Sequence, residues 1–228
     1  MGAAVRPLAR QLARRVAQRR RLQRRGRLDV RRTMRRSLGS GGVPLYPAYR
    51  RRRASKADVV VLCDLSGSVA EFAQFTLTLV HALHHELARL RSFVFVDGVA
   101  EVTDLIDGAG DLPDPHHLLR RPGVVAADGH SDYGRAFERF WAAHAPTVLT
   151  AGTTLIVTGD ARTNFRGAGL EAFRLMTEQA RRTYWLNPEP RADWDHGDSC
   201  MGDYAPACSA VFEVRSLRQL ADAVINIV

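Results

Sequence analysis

A chain of 228 residues, 46% of them apolar and 25% charged, is long enough to bury one substantial core, whereas dividing it would leave two marginal ones. It has no run of eighteen uncharged apolar residues and no secretory-type N-terminus, so the expectation is a cytoplasmic protein without a membrane span. The formal charge of +9 is uneven: residues 1–56 hold 19 of the 33 basic residues and only Asp29 among the acids, a net +18, which leaves −9 for residues 57–228.

Val5, Leu8, Leu12, Val16 and Leu22 recur at helical spacing, Gly26 interrupts them, and Val30, Met34 and Leu38 resume the pattern, so two short basic helices are expected. Residues 37–44 (SLGSGGVP) have linker composition, and Arg50 to Arg53 form a second basic cluster. The division predicted is an Arg-rich arm and linker over 1–56 and one domain over 57–228.

Within that domain, residues 58–65 (DVVVLCDL) are a continuous apolar run ending at a polar turn, the pattern of a parallel strand buried on both faces. A helical stripe follows over 69–90 through Phe72, Thr76, Leu79, Leu83, Leu87 and Leu90. Residues 92–96 and 100–105 read as strands joined by a tight hairpin at Asp97-Gly98. Helices are expected over 114–119, 133–144, 170–181 and 217–224, and strands over 153–158, 183–186 and 210–214. Strands alternating with helices predict an α/β fold, a doubly wound, mostly parallel Rossmann-like sheet with helices on both faces. In such folds the site lies at the carboxyl ends of the strands.

One constellation there carries chemistry. Asp64-Leu65-Ser66-Gly67-Ser68 leaves the first buried strand and enters a helix, Asp160 ends a later strand, and Ser131-Asp132 precedes another helix. Three loops thus bring carboxylates and hydroxyls to one end of the sheet, and oxygen ligands of this kind suit a hard cation: Mg²⁺, or Mn²⁺ or Ca²⁺.

The D-x-S-G-S turn, the hydroxyl residue some sixty positions later and the Asp after a later strand resemble the metal-ion-dependent adhesion site of von Willebrand factor A domains. That resemblance implies that Ser66 and Ser68 ligate directly, that Ser131 stands where the family has Thr, and that Asp64 and Asp160 act largely through water. It implies further that one coordination position is left for an Asp or Glu of a partner protein. Residues 31–38 (RRTMRRSL), 42–45 (GVPL), 159–164 (GDARTN) and 185–190 (WLNPEP) are similar to the CoxE-like branch of these proteins. The implied role is a non-catalytic adapter for a MoxR-type AAA+ ATPase in metalloenzyme maturation or complex assembly.

Other motifs point nowhere. Residues 129–134 (GHSDYG) miss the G-x-S-x-G nucleophile elbow because position 133 is Tyr, and His85-Glu86 misses the zincin motif because position 89 is Arg. His81, His84 and His85 read as polar positions on a helix, and His116-His117 as loop surface. A phosphatase with Asp two residues after the strand-end Asp is excluded by Ser66. Cys63, Cys200 and Cys208 lack zinc-site spacing and read as reduced thiols. Two other function classes stay open at this point: a nucleic-acid-associated protein led by the Arg-rich arm, and a metal-dependent hydrolase for which Asp132 is the one evident base.

Overall fold

The structure is a computed structural model that describes residues 7–8, 10–11, 14, 30–37, 58–67, 70–84, 89–107, 114–125 and 130–227. Ser68, His85, residues 38–44 of the expected linker and the basic cluster at 50–53 lie outside the described residues. In the arm, residues 7, 8, 10, 11 and 14 are helical and Leu8 packs against the core. Helix α1 (Val30–Ser37) buries Thr33 and leaves Val30 and Met34 exposed. No described helix is long and apolar enough to cross a membrane.

Six strands form one sheet: β1 (Asp58–Asp64), β2 (Leu90–Phe95), β3 (Val99–Glu101), β4 (Thr153–Thr158), β5 (Arg182–Asn187) and β6 (Ala210–Glu213), in the order β3-β2-β1-β4-β5-β6. All neighbouring pairs are parallel except β2 with β3. The middle residues of β1 (59–63) and β4 (155–157) are apolar without alternation because both faces of these strands are covered. Along β1, Val59, Val61 and Cys63 point into one core, with Leu77, Leu83 and Val94, while Val60 and Leu62 point into the other, with Phe137, Phe173 and Trp185. The first core is closed by α2 (Ala70–His84) and α9 (Leu217–Asn226), the second by α5 (Tyr133–Ala143) and α7 (Leu170–Gln179). This is the expected doubly wound α/β architecture.

Two expected elements differ. The helix predicted over 69–90 is described only to His84, and Leu90 is the first residue of β2, paired with Val59, because a lone Leu satisfies either period. The strand predicted over 100–105 stops at Glu101: the Val102 N–H turns to the Ser92 carbonyl (2.8 Å), and the Ile106 N–H bonds the Val102 carbonyl (3.1 Å), opening helix α3 (Thr103–Asp107). Val102 and Ile106 are both buried, so a helical i, i+4 contact outcompetes the alternation that Ala100 and Val102 had started. The hairpin itself is present, with Phe95 opposite Val99 and residues 96–98 between them. The remaining helices are α4 (Pro115–Leu119), α6 (Ala145–Val148) and α8 (Met201–Tyr204). Sequence periodicity missed α6 and α8, each only four residues long.

Candidate metal centre

Strand order reverses between β1 and β4, and the crevice at their carboxyl ends is where doubly wound sheets bind ligands. Cys63 lies opposite Thr158, so the next residues along each strand, Asp64 and Gly159, leave the sheet side by side and Asp160 follows. Asp64 and Asp160 are both buried, at 2% and 1% exposure. The Ser66 N–H donates to Asp64 Oδ1 (2.7 Å), which folds the turn back over the strand end and buries Ser66 beside it. On the other side, the Arg162 N–H donates to Asp160 Oδ1 (2.9 Å).

One hydroxyl joins these turns. Tyr133, the first residue of α5, donates its O–H to Asp64 Oδ2 (2.5 Å), lies 3.4 Å from Asp160 Oδ1, and accepts the Ala161 N–H (3.2 Å). Burial, followed by repulsion from Asp160, pushes the Asp64 carboxyl up to about 7 despite the bonds from Tyr133 and Ser66. Burial and the two carboxylates likewise raise the Tyr133 phenol well above its ordinary range. Two buried carboxyl groups converging from adjacent strand ends concentrate negative potential at the switch point.

Ser131 enters by a third loop. The Asp132 N–H bonds the Val96 carbonyl (3.0 Å) just beyond β2, and the Asp132 side chain caps α5 through the Arg135 N–H (2.9 Å). The buried Ser131 hydroxyl donates to the Arg162 carbonyl (3.0 Å) and accepts Asn164 Nδ2 (3.0 Å). The structure therefore folds Ser66 back on Asp64, links Asp64 to Asp160 through the Tyr133 hydroxyl, and ties Ser131 to the segment that follows Asp160. Among the described residues no three His, Cys, Asp or Glu side chains gather where they could hold a metal. A cation here must draw the rest of its shell from hydroxyls and water.

Tyr133, Arg162 and Asn164 were not singled out by the sequence reading as site residues. In the sequence, residues 159–164 stand out only by resemblance, and Tyr133 only as a mismatch to a hydrolase motif. Arg162 braces the turn after Asp160: its guanidinium pairs with both oxygens of Glu189 (2.7 and 3.0 Å) and with Asp198 (2.8 Å) and donates to the His196 carbonyl (3.2 Å). Ala161, Asn164 and Phe165 around it have positive φ, at 63°, 53° and 58°, a strained conformation that needs such bracing. The other His positions are ordinary: His84 Nε2 meets Ser92 Oγ (3.0 Å), and His116 and His117 are exposed. All three cysteines are free thiols.

The brace yields a pH-dependent expectation. Burial works against ionised Asp198, but Arg162 and the Asn164 N–H outweigh it and hold the carboxyl below its usual range. A lowered folded value means that this stabilisation is complete above the ordinary carboxylate range and is lost as pH falls through it. Asp198→Asn is therefore expected to cost about 2 kcal/mol at neutral pH. Urea denaturation across a pH series should show that gap from wild type narrowing below about pH 4. A gap that stays constant down to pH 2 contradicts the ionic brace.

A family model described as "VWA domain containing CoxE-like protein" matches residues 1–223. No curated protein matches the chain. Among solved structures, the chain is similar to a von Willebrand factor type A protein from Catenulispora acidiphila, with 16% identity and TM-score 0.49 over 76% of this chain and 42% of that one. It is also similar to the ArnB paralog VWA2 from Sulfolobus acidocaldarius, with 13% identity and TM-score 0.39 over 75% of this chain and 45% of that one. The chain thus spans less than half the length of these two structures.

Proposed function

The chain belongs to the family of VWA domain containing CoxE-like proteins, and from that premise we propose that it is a non-catalytic adapter that holds a divalent cation and through it binds an acidic side chain of a partner protein. The observation that carries this reading is the convergence of Asp64 and Asp160, buried on adjacent strand ends, with the Ser66 and Ser131 turns closing over them. Their donors are carboxylate and hydroxyl oxygens, the set that Mg²⁺, Mn²⁺ or Ca²⁺ prefers. Cys63 sits on the opposite face of β1, and burial pushes its thiol up to about 12, so this thiol offers no thiolate to the ion.

On this reading Asp64, Ser66, Ser68, Ser131 and Asp160 hold the ion, the two carboxylates through water. When bound, the cation supplies a coordination position that a partner's Asp or Glu completes. A hydrolytic role is disfavoured by Asp132: it caps α5 through one oxygen, and its other oxygen faces the Arg166 guanidinium at 3.5 Å, so its carboxylate is committed to the fold. We further propose a cytoplasmic setting, where the three thiols stay reduced, and a MoxR-type AAA+ ATPase as the partner that does the mechanical work.

The experiment is co-purification with such an ATPase in the presence and absence of Mg²⁺. Ser66→Ala with Ser68→Ala removes the two hydroxyls proposed as direct ligands and changes no residue of either core. The double variant is expected to keep its circular dichroism spectrum in metal-free buffer, within about 1 kcal/mol of wild-type stability, and to lose the Mg²⁺-dependent partner. Deleting residues 1–26 removes much of the positive arm and no proposed ligand. If that deletion abolishes binding while the double Ser variant binds normally, the arm is the functional element. Salt-sensitive binding of DNA by residues 1–56 would then favour a nucleic-acid role.

A further inference from the structure

Tyr133 is more constrained than its packing requires. Its ring is fully buried, stacked on Trp185 (centroids 5.8 Å apart, planes at 18°) and edge-on to Phe95 (5.1 Å) and Phe137 (5.8 Å). The hydroxyl at its tip reaches out of this aromatic cluster to the two carboxylates and the Ala161 N–H. The backbone makes room for it at Gly159, where a Cβ would stand 2.0 Å from the Tyr133 oxygen. Since the Ser66 N–H already fixes Asp64 Oδ1, the Tyr133 bond to Oδ2 fixes the second oxygen and the carboxylate plane with it.

We propose that Tyr133 is a positioning residue for the cation site: its buried hydroxyl locks the Asp64 carboxylate and ties it to the 159–161 turn, so that both strand-end carboxylates meet a divalent cation already oriented. This rests on the reading of that site as a cation centre. The physical reason is preorganisation. A carboxylate free to rotate must be ordered when the ion binds, whereas one clamped at both oxygens and anchored through a packed ring needs no ordering.

Tyr204 provides an internal comparison. It is buried in the same cluster, stacked on Trp185 at 5.0 Å, but its O–H donates to the Ala168 carbonyl (2.7 Å) rather than to a proposed ligand. The test is calorimetric titration of the full chain with Mg²⁺ for wild type, Tyr133→Phe and Tyr204→Phe, with stability measured in metal-free buffer. Both variants keep the ring; Tyr133→Phe loses the bonds to Asp64 and the Ala161 N–H and Tyr204→Phe the one to Ala168, so a merely structural role lowers stability in each and leaves affinity alone. The expected result is Mg²⁺ affinity weakened about tenfold or more by Tyr133→Phe and unchanged by Tyr204→Phe.

Wild-type affinity retained in a folded Tyr133→Phe overturns the inference and leaves the cation site standing. No Mg²⁺ response in wild type removes both. Should Tyr133→Phe fail to fold, the wild-type chain labelled with ¹³C at tyrosine Cζ carries the test. Addition of Mg²⁺ is expected to shift the Tyr133 resonance and not that of Tyr204. Binding of Mg²⁺ with both resonances unmoved overturns the inference.

Discussion

Replacing Gly159 with alanine is expected to destabilise the fold by about 3 kcal/mol or more. Its φ of +151° is a conformation that residues with a side chain rarely adopt, and the new Cβ would meet the Tyr133 hydroxyl at 2.0 Å and Asp64 Cβ at 2.8 Å. Neither neighbour can retreat: the Tyr133 ring is held by Trp185, Phe95 and Phe137, and Asp64 ends a strand paired on both sides. Gly159 is pinned from its own side as well, since its carbonyl accepts the Trp185 indole N–H (2.8 Å) and its N–H donates to the Leu186 carbonyl (3.2 Å). Gly67 is the control, because a Cβ there meets nothing within 4 Å, and Gly67→Ala should stay within about 0.5 kcal/mol of wild type. Adding Tyr133→Phe to Gly159→Ala removes the atom of closest approach and should recover part of the loss, a coupling that a double-mutant cycle in urea measures. If Gly159→Ala melts with wild type and Gly67→Ala, the close packing of the two turns is wrong.

The second large effect concerns Asp64→Asn, for which stability and cation response should move apart. Asparagine keeps the shape of the side chain and an oxygen for the Ser66 N–H. Its NH2 donates where Asp64 Oδ2 accepted, leaving the Tyr133 hydroxyl to turn its proton to Asp160 Oδ1 (3.4 Å), and one of two buried carboxylates that repel each other is removed. In metal-free buffer the variant should therefore match wild type within about 1 kcal/mol, or exceed it, because the desolvation cost of a buried charge is gone. With the cation present the order should invert. Wild type gains about 2.7 kcal/mol when free cation reaches a hundred times its dissociation constant, and the variant, lacking the charge that balances the ion, gains nothing. Chemical denaturation with and without Mg²⁺ reads both halves. Equal gains in the two proteins would mean that the ion binds elsewhere.

How much of this was legible beforehand follows from the range of each interaction. The buried runs at 58–65 and 153–158 announced β1 and β4, because a strand covered on both faces is apolar at consecutive positions and each ends at a polar turn. The helix expected over 133–144 after Ser131-Asp132 is α5, whose first turn Asp132 caps. Thr103–Asp107 was misread because Ala100, Val102 and Leu105 satisfy a strand and a helix about equally until Val102 and Ile106 are seen to be buried together.

In the site, Asp64, Ser66, Ser131 and Asp160 were visible because a strand end or a helix start marks each of them. The residues that hold them were not. The Tyr133 hydroxyl meets a carboxylate 69 positions away, and Arg162 meets Glu189 and Asp198 at separations of 27 and 36. No local spacing encodes such pairs. Nor does an alanine announce a positive φ, as Ala161 adopts here: its neighbours impose it, with the N–H held by Tyr133 and the carbonyl by Cys200.

Whether the carboxyl ends of β1 and β4 form a divalent cation site is read by calorimetric titration of the wild-type chain with Mg²⁺, repeated with Mn²⁺ and Ca²⁺ and with Asp64→Ala alongside. Saturable binding near one ion per chain is expected in wild type and none in Asp64→Ala. A flat titration with all three cations, or an Asp64→Ala curve that overlays wild type, would contradict it.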